Sequence, residues 1–281
     1  MDQTTRYHLQ RRLAYAGWLL TCLVFLAFFI GPFLWMIFTS FKTPSDIIQF
    51  PPRLLPELWV TTNYVKMWEE LDWLPMFVNS LWITVVSVTL VVLVSALGAF
   101  SFAKLRWPFR NVCFLLIIAG LIVPIQVDMI PRFLMMVRWG LTGTYIPVIL
   151  LIIGQGFQTF MLRQFIGTIP DEYLDAAKID GMGYFRMFWQ IIIPLSKSGV
   201  VTMTIYTTFI VWNQYVYPLI YLTDPRQFTL QLGLGLLRQR LAGQFGPIMA
   251  AATMISLPTL VIYLMFQRYL TQGISATGVK G

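Results

Sequence analysis

The sequence predicts an all-α membrane protein with six transmembrane helices, and three observations lead there. Of its 281 residues 57% are hydrophobic and only 11% charged, too few charges to cover a soluble domain of this size. The apolar residues gather into six runs, each long enough for the roughly 20 helical residues that cross about 30 Å of hydrocarbon. Between the fourth and fifth runs stands DEYLDAAKIDGMGYFRMFWQIIIP, residues 171–194, a charged stretch that reads as two short helices kept in water.

In chain order, residues 1–12 form a basic leader, and the spans fall near 13–38, 76–100, 112–131, 145–165, 198–221 and 247–267. The first run is too long for the apolar part of a cleaved signal and ends on no A-x-A-like site, so it is expected to be retained. The loop from about 39 to 75 carries Pro44, Pro51, Pro52, Pro56 and Pro75, which favour extended or turn backbone. Its Trp59, Trp68 and Trp73 fit interfacial anchors as well as ligand contacts. The second span begins at Asn79-Ser80 and stops before KLRWPFRN, where Pro108 ends the helix and Lys104, Arg106 and Arg110 meet anionic headgroups. Pro124 and Pro131 in the third span and Pro258 in the sixth free backbone carbonyls that a packed bundle must satisfy. Residues 166–197 form the water-facing segment, 13–270 the membrane domain and 271–281 a tail. With the N-terminus inside, twelve of the 20 Lys and Arg residues fall on the cytoplasmic side, so both termini and the segment 166–197 are expected there.

The net charge of +8 is spread along the ends of apolar runs, which accounts for it through the bilayer and leaves no nucleic-acid reading. Cys22 and Cys113 lie inside apolar runs and imply no disulfide framework. The one histidine, His8, cannot make a zinc site alone. The chain has no HExxH, GxSxG or P-loop GxxxxGK[ST] motif, so neither enzyme chemistry nor a bound cofactor is expected of it.

Thr168 and Asp171 form a capping-box pattern at the start of the charged segment. Asp171, Glu172 and Asp175 then stand in the first turns, where the helix dipole favours negative charge. Ala176 and Ala177 make a flat face, Gly181 and Gly183 break the helix, and an apolar, aromatic run from Tyr184 to Ile193 leads to Pro194, which is expected to end it. Two readings remain open on these residues. One is an amphipathic connector with Phe185, Phe188 and Trp189 in the headgroups. The other is a docking helix whose small-residue face and edge carboxylate suit a groove on a soluble partner.

The offsets of Asp175-Ala176-Ala177, Gly181, Ile191 and Pro194 resemble the EAA loop of binding-protein-dependent ABC transporter permeases. Asp175 stands where that family usually has Glu, and Ile193 where it usually has Leu. Further stretches resemble its carbohydrate branch, the maltose-type permease of six helices: PFLWMIFTSFK at 32–42, FVNSLWIT at 77–84, ALGAFSFAKLRWPFR at 96–110, WNQYVYPL at 212–219 and QRYLTQGISATGVKG at 267–281. The resemblance implies a type I ABC importer permease in the inner membrane. It implies a homologous second permease, a dimeric P-loop ATPase that binds ATP and Mg, and an extracytoplasmic sugar-binding protein. The segment carrying Asp171, Glu172, Asp175, Ala176, Ala177, Gly181 and Pro194 would couple the ATPase to the spans.

For the cargo path, span five offers Thr204, Thr208, Trp212, Asn213, Gln214 and Tyr215, with Tyr206 and Thr207 on neighbouring faces. Amides and hydroxyls suit sugar hydroxyls, and aromatic faces suit C–H surfaces. The same residues also serve to bond helices together. Asn79, Ser80, Gln126, Gln155 and Gln158 are weaker candidates. Asp128, a carboxylate within a span, is expected to pair with Arg132 one turn on. The loop Thr223–Gly246 reads as a glycine-rich connector; in the family it resembles, this loop reaches into the binding protein. An ion-driven secondary transporter would need ionisable groups near the midplane, and apart from Asp128 the spans have almost none. A polyol phosphate such as glycerol 3-phosphate would ask for more cations in the spans than this chain carries.

Overall fold

A computed structural model describes residues 3–154 and 156–278, and these residues form helices and turns without a strand. The chain divides into two compact units, one of residues up to Leu71 with 236–256, the other of Asp72–Gly235 with residues from Leu257 on.

The first unit opens with α1 (Gln3–Ser40), whose apolar stretch from Ala14 is long enough to cross a membrane. The proline-rich loop behind it is folded. Thr43 caps a one-turn helix, α2 (Pro44–Ile47), by accepting the Asp46 N–H, and Asp46 in turn accepts the Glu57 N–H at 3.0 Å. From α3 (Thr62–Glu70), the Asn63 amide donates to the carbonyls of Ser40 and Lys42 at 2.9 and 2.8 Å. Trp59 packs against Phe38 and Phe41. These bonds give the loop's backbone the partners that extended, proline-bearing chain lacks.

The second unit is built around α4 (Trp73–Lys104), 32 residues that end on a cation suited to the helix C-terminus. The third apolar run, expected as a single span, is bent. It forms α5 (Arg110–Ile122) and α6 (Ile125–Arg138), bent by 103° at Val123-Pro124. Pro124 stands in extended backbone as the N-cap of α6 and supplies no N–H to continue α5. Thirteen residues of α5 reach only about 20 Å, so α5 by itself is short for the hydrocarbon. Asp128 and Arg132 pair across one turn of α6, as their spacing suggested.

The fourth run is α7 (Ile146–Ile153) and α8 (Phe157–Gly167), interrupted near Gly154 and Gly156; Gln155 lies outside the described residues. After the charged segment comes α9 (Glu172–Ile179), then α10 (Tyr184–Met187), a π-helical turn (Phe188–Ile192), α11 (Ile193–Leu195) and α12 (Lys197–Trp212). The segment Tyr184–Leu195 meets α12 at 82°. Then follow α13 (Val216–Tyr221), a 3-10 turn (Pro225–Gln227), α14 (Leu230–Arg240) and α15 (Phe245–Gly278). The stretch expected to be a glycine-rich connector is therefore largely helical. Taken by length and composition, four helical stretches, with α7 and α8 counted as one, and two bent pairs give up to six spans.

Helix α4 packs most closely on α8 and α12. Small residues permit this: Gly98 faces Thr159, and a Cβ at Gly199 would lie 2.5 Å from the Phe165 ring. Two apolar cores result. One joins Ile83, Val91, Val148, Ile152, Val211 and Tyr221. The other joins Phe100, Leu162 and Ile166 to Leu174, Ala177, Met187 and Ile192, so the charged segment is part of the packed bundle.

Candidate functional site

Helix α9 is seated on the bundle by one face and free on the other. Leu174 and Ala177, three residues apart, are buried in the core with Phe100, Ile166 and Phe188. Glu172, Ala176 and Ile179 share the opposite face, and Ile179 is 87% exposed. The small-residue pair is thus split: Ala176 looks outward, while Ala177 lets α9 lie close against its own bundle. The signal was present in the sequence as the Leu174–Ala177 spacing.

The expected capping box does not form. Thr168 ends α8 instead, its hydroxyl donating to the Phe165 carbonyl at 2.8 Å. Asp171, the N-cap of α9, turns its carboxylate to Lys104, whose ammonium donates to it at 2.6 Å and also to the Ile169 carbonyl. The Lys104 side chain is only 5% exposed and that of Asp171 70%, so the lysine is held by the fold and Asp171 answers it at the surface. The hydrogen bond and charge of Lys104 hold the Asp171 carboxyl below the usual carboxylate range. Lys104, read as a headgroup contact, is therefore the residue that fixes the start of α9. Asp175 pairs with Lys178 at 2.8 Å on the exposed side of the same helix, and that bond raises the Lys178 ammonium above its usual value.

Gly181 stops α9 in a Schellman turn. Its φ is +73°, its N–H bonds the Lys178 carbonyl, and the Met182 N–H bonds the Ala177 carbonyl at 2.9 Å. Met182 then packs on the core that holds Ala177. Gly181 sets where the helix ends rather than the shape of the exposed face.

Pro194 does not end the second helical run. The chain stays helical through it to Leu195, behind a π-turn in which the Ile193 N–H reaches the Phe188 carbonyl. The turn into α12 comes at Ser196, whose hydroxyl and N–H both bond the Ile192 carbonyl. Phe185 and Trp189 remain exposed on this run, with Phe188 buried.

The cargo-path candidates separate into two groups. Asn79 is fully engaged, donating to the carbonyls of Arg226 and Phe228 and accepting from the Tyr145 hydroxyl at 3.0 Å. Ser80 accepts the Leu230 N–H. Thr204 and Thr208 donate back into their own helix, and Trp212 is buried against Phe77. Asn79, Ser80 and Trp212 thus join elements of the bundle, whereas Thr204 and Thr208 bond only within α12. Asn213, Gln214 and Tyr215 occupy the gap between α12 and α13, where the helix is broken, and each keeps some exposure. Gln231 of α14, which the sequence did not single out, donates to Asn213 at 3.1 Å and joins this polar rim. Gln126 is exposed on α6. Gln158 and Thr207 are fully buried with no hydrogen-bond partner for the Gln158 amide atoms or the Thr207 hydroxyl.

The described residues thus define a class: a polytopic helical membrane protein that keeps a short helix seated on its bundle with one face open. The chain belongs to the family of binding-protein-dependent transport system inner membrane components, whose model matches residues 92–276. It is a transport subunit of the inner membrane. It is 31% identical to the inner membrane ABC transporter permease protein YcjP of Escherichia coli K12, over 97% of this chain and 99% of that protein. It is 32% identical to the arabinooligosaccharides transport system permease protein AraQ of Halalkalibacterium halodurans, over 94% and 97%. The fold matches a crystal structure of a bacterial ABC transporter involved in importing the acidic polysaccharide alginate, with a TM-score of 0.76, 21% identity and coverage of 96% and 98%.

Proposed function

We propose that this chain is one of two homologous permease subunits of an ATP-driven importer for a neutral di- or oligosaccharide. An extracytoplasmic binding protein delivers the sugar, and a dimeric P-loop ATPase carrying ATP and Mg docks on the cytoplasmic side, where both termini lie. The observation that carries this reading is the two-faced seating of α9: Leu174 and Ala177 lock it to the bundle, while Glu172, Ala176 and Ile179 stay open to a partner. A partner that moves α9 moves the core to which it is packed, and with it α4, α8 and α12.

The sugar would pass the rim of Asn213, Gln214, Tyr215 and Gln231, where amides and an aromatic ring meet at a break in the helix. Arg132 is already matched by Asp128, which supports a neutral cargo over a phosphate-bearing one. Reconstituted with its second permease, ATPase and binding protein, the chain is expected to take up labelled oligosaccharide only with ATP and to continue after ionophores collapse the ion gradients. Uptake without ATP that stops with the ionophores would replace this reading with a secondary transporter.

A further inference from the structure

A cleft of about 340 Å³ opens between the end of α4 and the charged segment. Lys104, Arg106 and Lys178 line its walls, and Phe100, Leu174 and Met187 give it an apolar floor. Asp171 and Asp175 also border it, but they are already paired with Lys104 and Lys178. Three cations against two carboxylates leave one positive charge. Arg106 is its source: it makes no hydrogen bond or ion pair among the described residues and acts on Asp171 only through space.

The level of the cleft selects the anion. Helix α4 is an apolar span that ends at Lys104 and is followed directly by Arg106 and Arg110, the clustering of cations that suits the headgroup side of a span. Tyr184 and Phe185, both exposed at this end, are side chains of the kind that settle at headgroup depth. A guanidinium fork with a second ammonium nearby suits the oxygens of a phosphate, and an apolar floor suits what is esterified to it. We propose that this cleft binds the phosphate of an anionic phospholipid, held between Arg106 and Lys178. One lipid then ties the turn after α4 to α9 and steadies the seat of that helix. The inference requires only that the chain lies in a bilayer, so it stands or falls separately from the transport reading.

The test uses the full chain in nanodiscs of phosphatidylcholine alone or mixed with phosphatidylglycerol. Native mass spectrometry counts the lipid retained after release, and hydrogen exchange follows residues 172–182. Phosphatidylglycerol is expected to be retained in preference and to slow exchange in α9. Each of Arg106→Gln and Lys178→Gln should lower retention about fivefold, while Arg238→Gln, an exposed cation of α14, should change nothing. Equal retention by the Arg106→Gln/Lys178→Gln double variant would overturn the site. Slowing of α9 exchange by inorganic phosphate in phosphatidylcholine discs, equal to that by phosphatidylglycerol, would overturn the lipid assignment in favour of free phosphate.

Discussion

Neighbouring residues of the charged segment carry different tasks, and Ala176 and Ala177 show it most plainly. A carboxylate at 177 would enter the core between Leu174 and Phe188, a burial that costs several kcal/mol unpaired. Ala177→Glu is therefore expected to lower the unfolding temperature of the purified chain, and an unchanged temperature would contradict the inward placement. Asp171 makes a prediction in pH. Its carboxyl is held below the usual carboxylate range by Lys104, so the contact contributes above that range and is lost as pH falls through the depressed value. The Lys178 ammonium is raised by Asp175, so its contact contributes below the usual lysine range and is lost as pH rises through the raised value. Hydrogen exchange in α9, corrected for intrinsic rates, should be slow across neutral pH and should quicken in acid below the carboxylate range. Asp171→Asn should remove the acid limb; an unaltered limb would assign it elsewhere. At this scale the sequence disclosed which residues matter in the segment but not which way each points. Lys104 and Asp171 are 67 positions apart, and no local pattern joins them.

Elements are legible where apolar length alone decides them, while the bends and breaks within them turn on single prolines. The runs at 76–100 and 247–267 appear inside α4 and α15. The run at 112–131 reads as one span because its composition is continuous; it forms two helices bent by 103° at Pro124, a pair that still counts as one span by length and composition. Pro194 reads as a helix stop, but the helix runs through it to Leu195, behind the π-turn at Phe188–Ile192. That turn leads into the 82° bend before α12, and so lies on the route from α9 to the spans. Pro194→Ala restores an N–H that can close an ordinary helical turn. It is expected to lower uptake severalfold while the ATPase still co-purifies; full uptake would remove the π-turn from the coupling route. In the stretch 223–246 the glycines alone leave the structure open. Gly233 and Gly235 mark where α14 lies close to Met76 and Tyr215, a packing role that composition cannot distinguish from a flexible linker.

For the whole molecule, the central claim is that a separate ATPase works this permease through the exposed face of α9. The fold class follows from hydrophobic content and the six apolar runs, the missing P-loop points to a separate ATPase, and the segment's place between the fourth and fifth runs marks it out for docking. The separation of the seat from the open face is carried only by the Leu174–Ala177 spacing, two positions within the eight residues of α9, and the family pattern, which groups Ala176 with Ala177, hides it. The most direct test is co-purification of the ATPase with three forms of the chain: wild type, Ala176→Glu on the open face, and Gln239→Glu at an exposed position of α14. Wild type and Gln239→Glu are expected to bring the ATPase with them, and Ala176→Glu to lose it at an unchanged unfolding temperature. Full retention of the ATPase by the folded Ala176→Glu protein would contradict the claim.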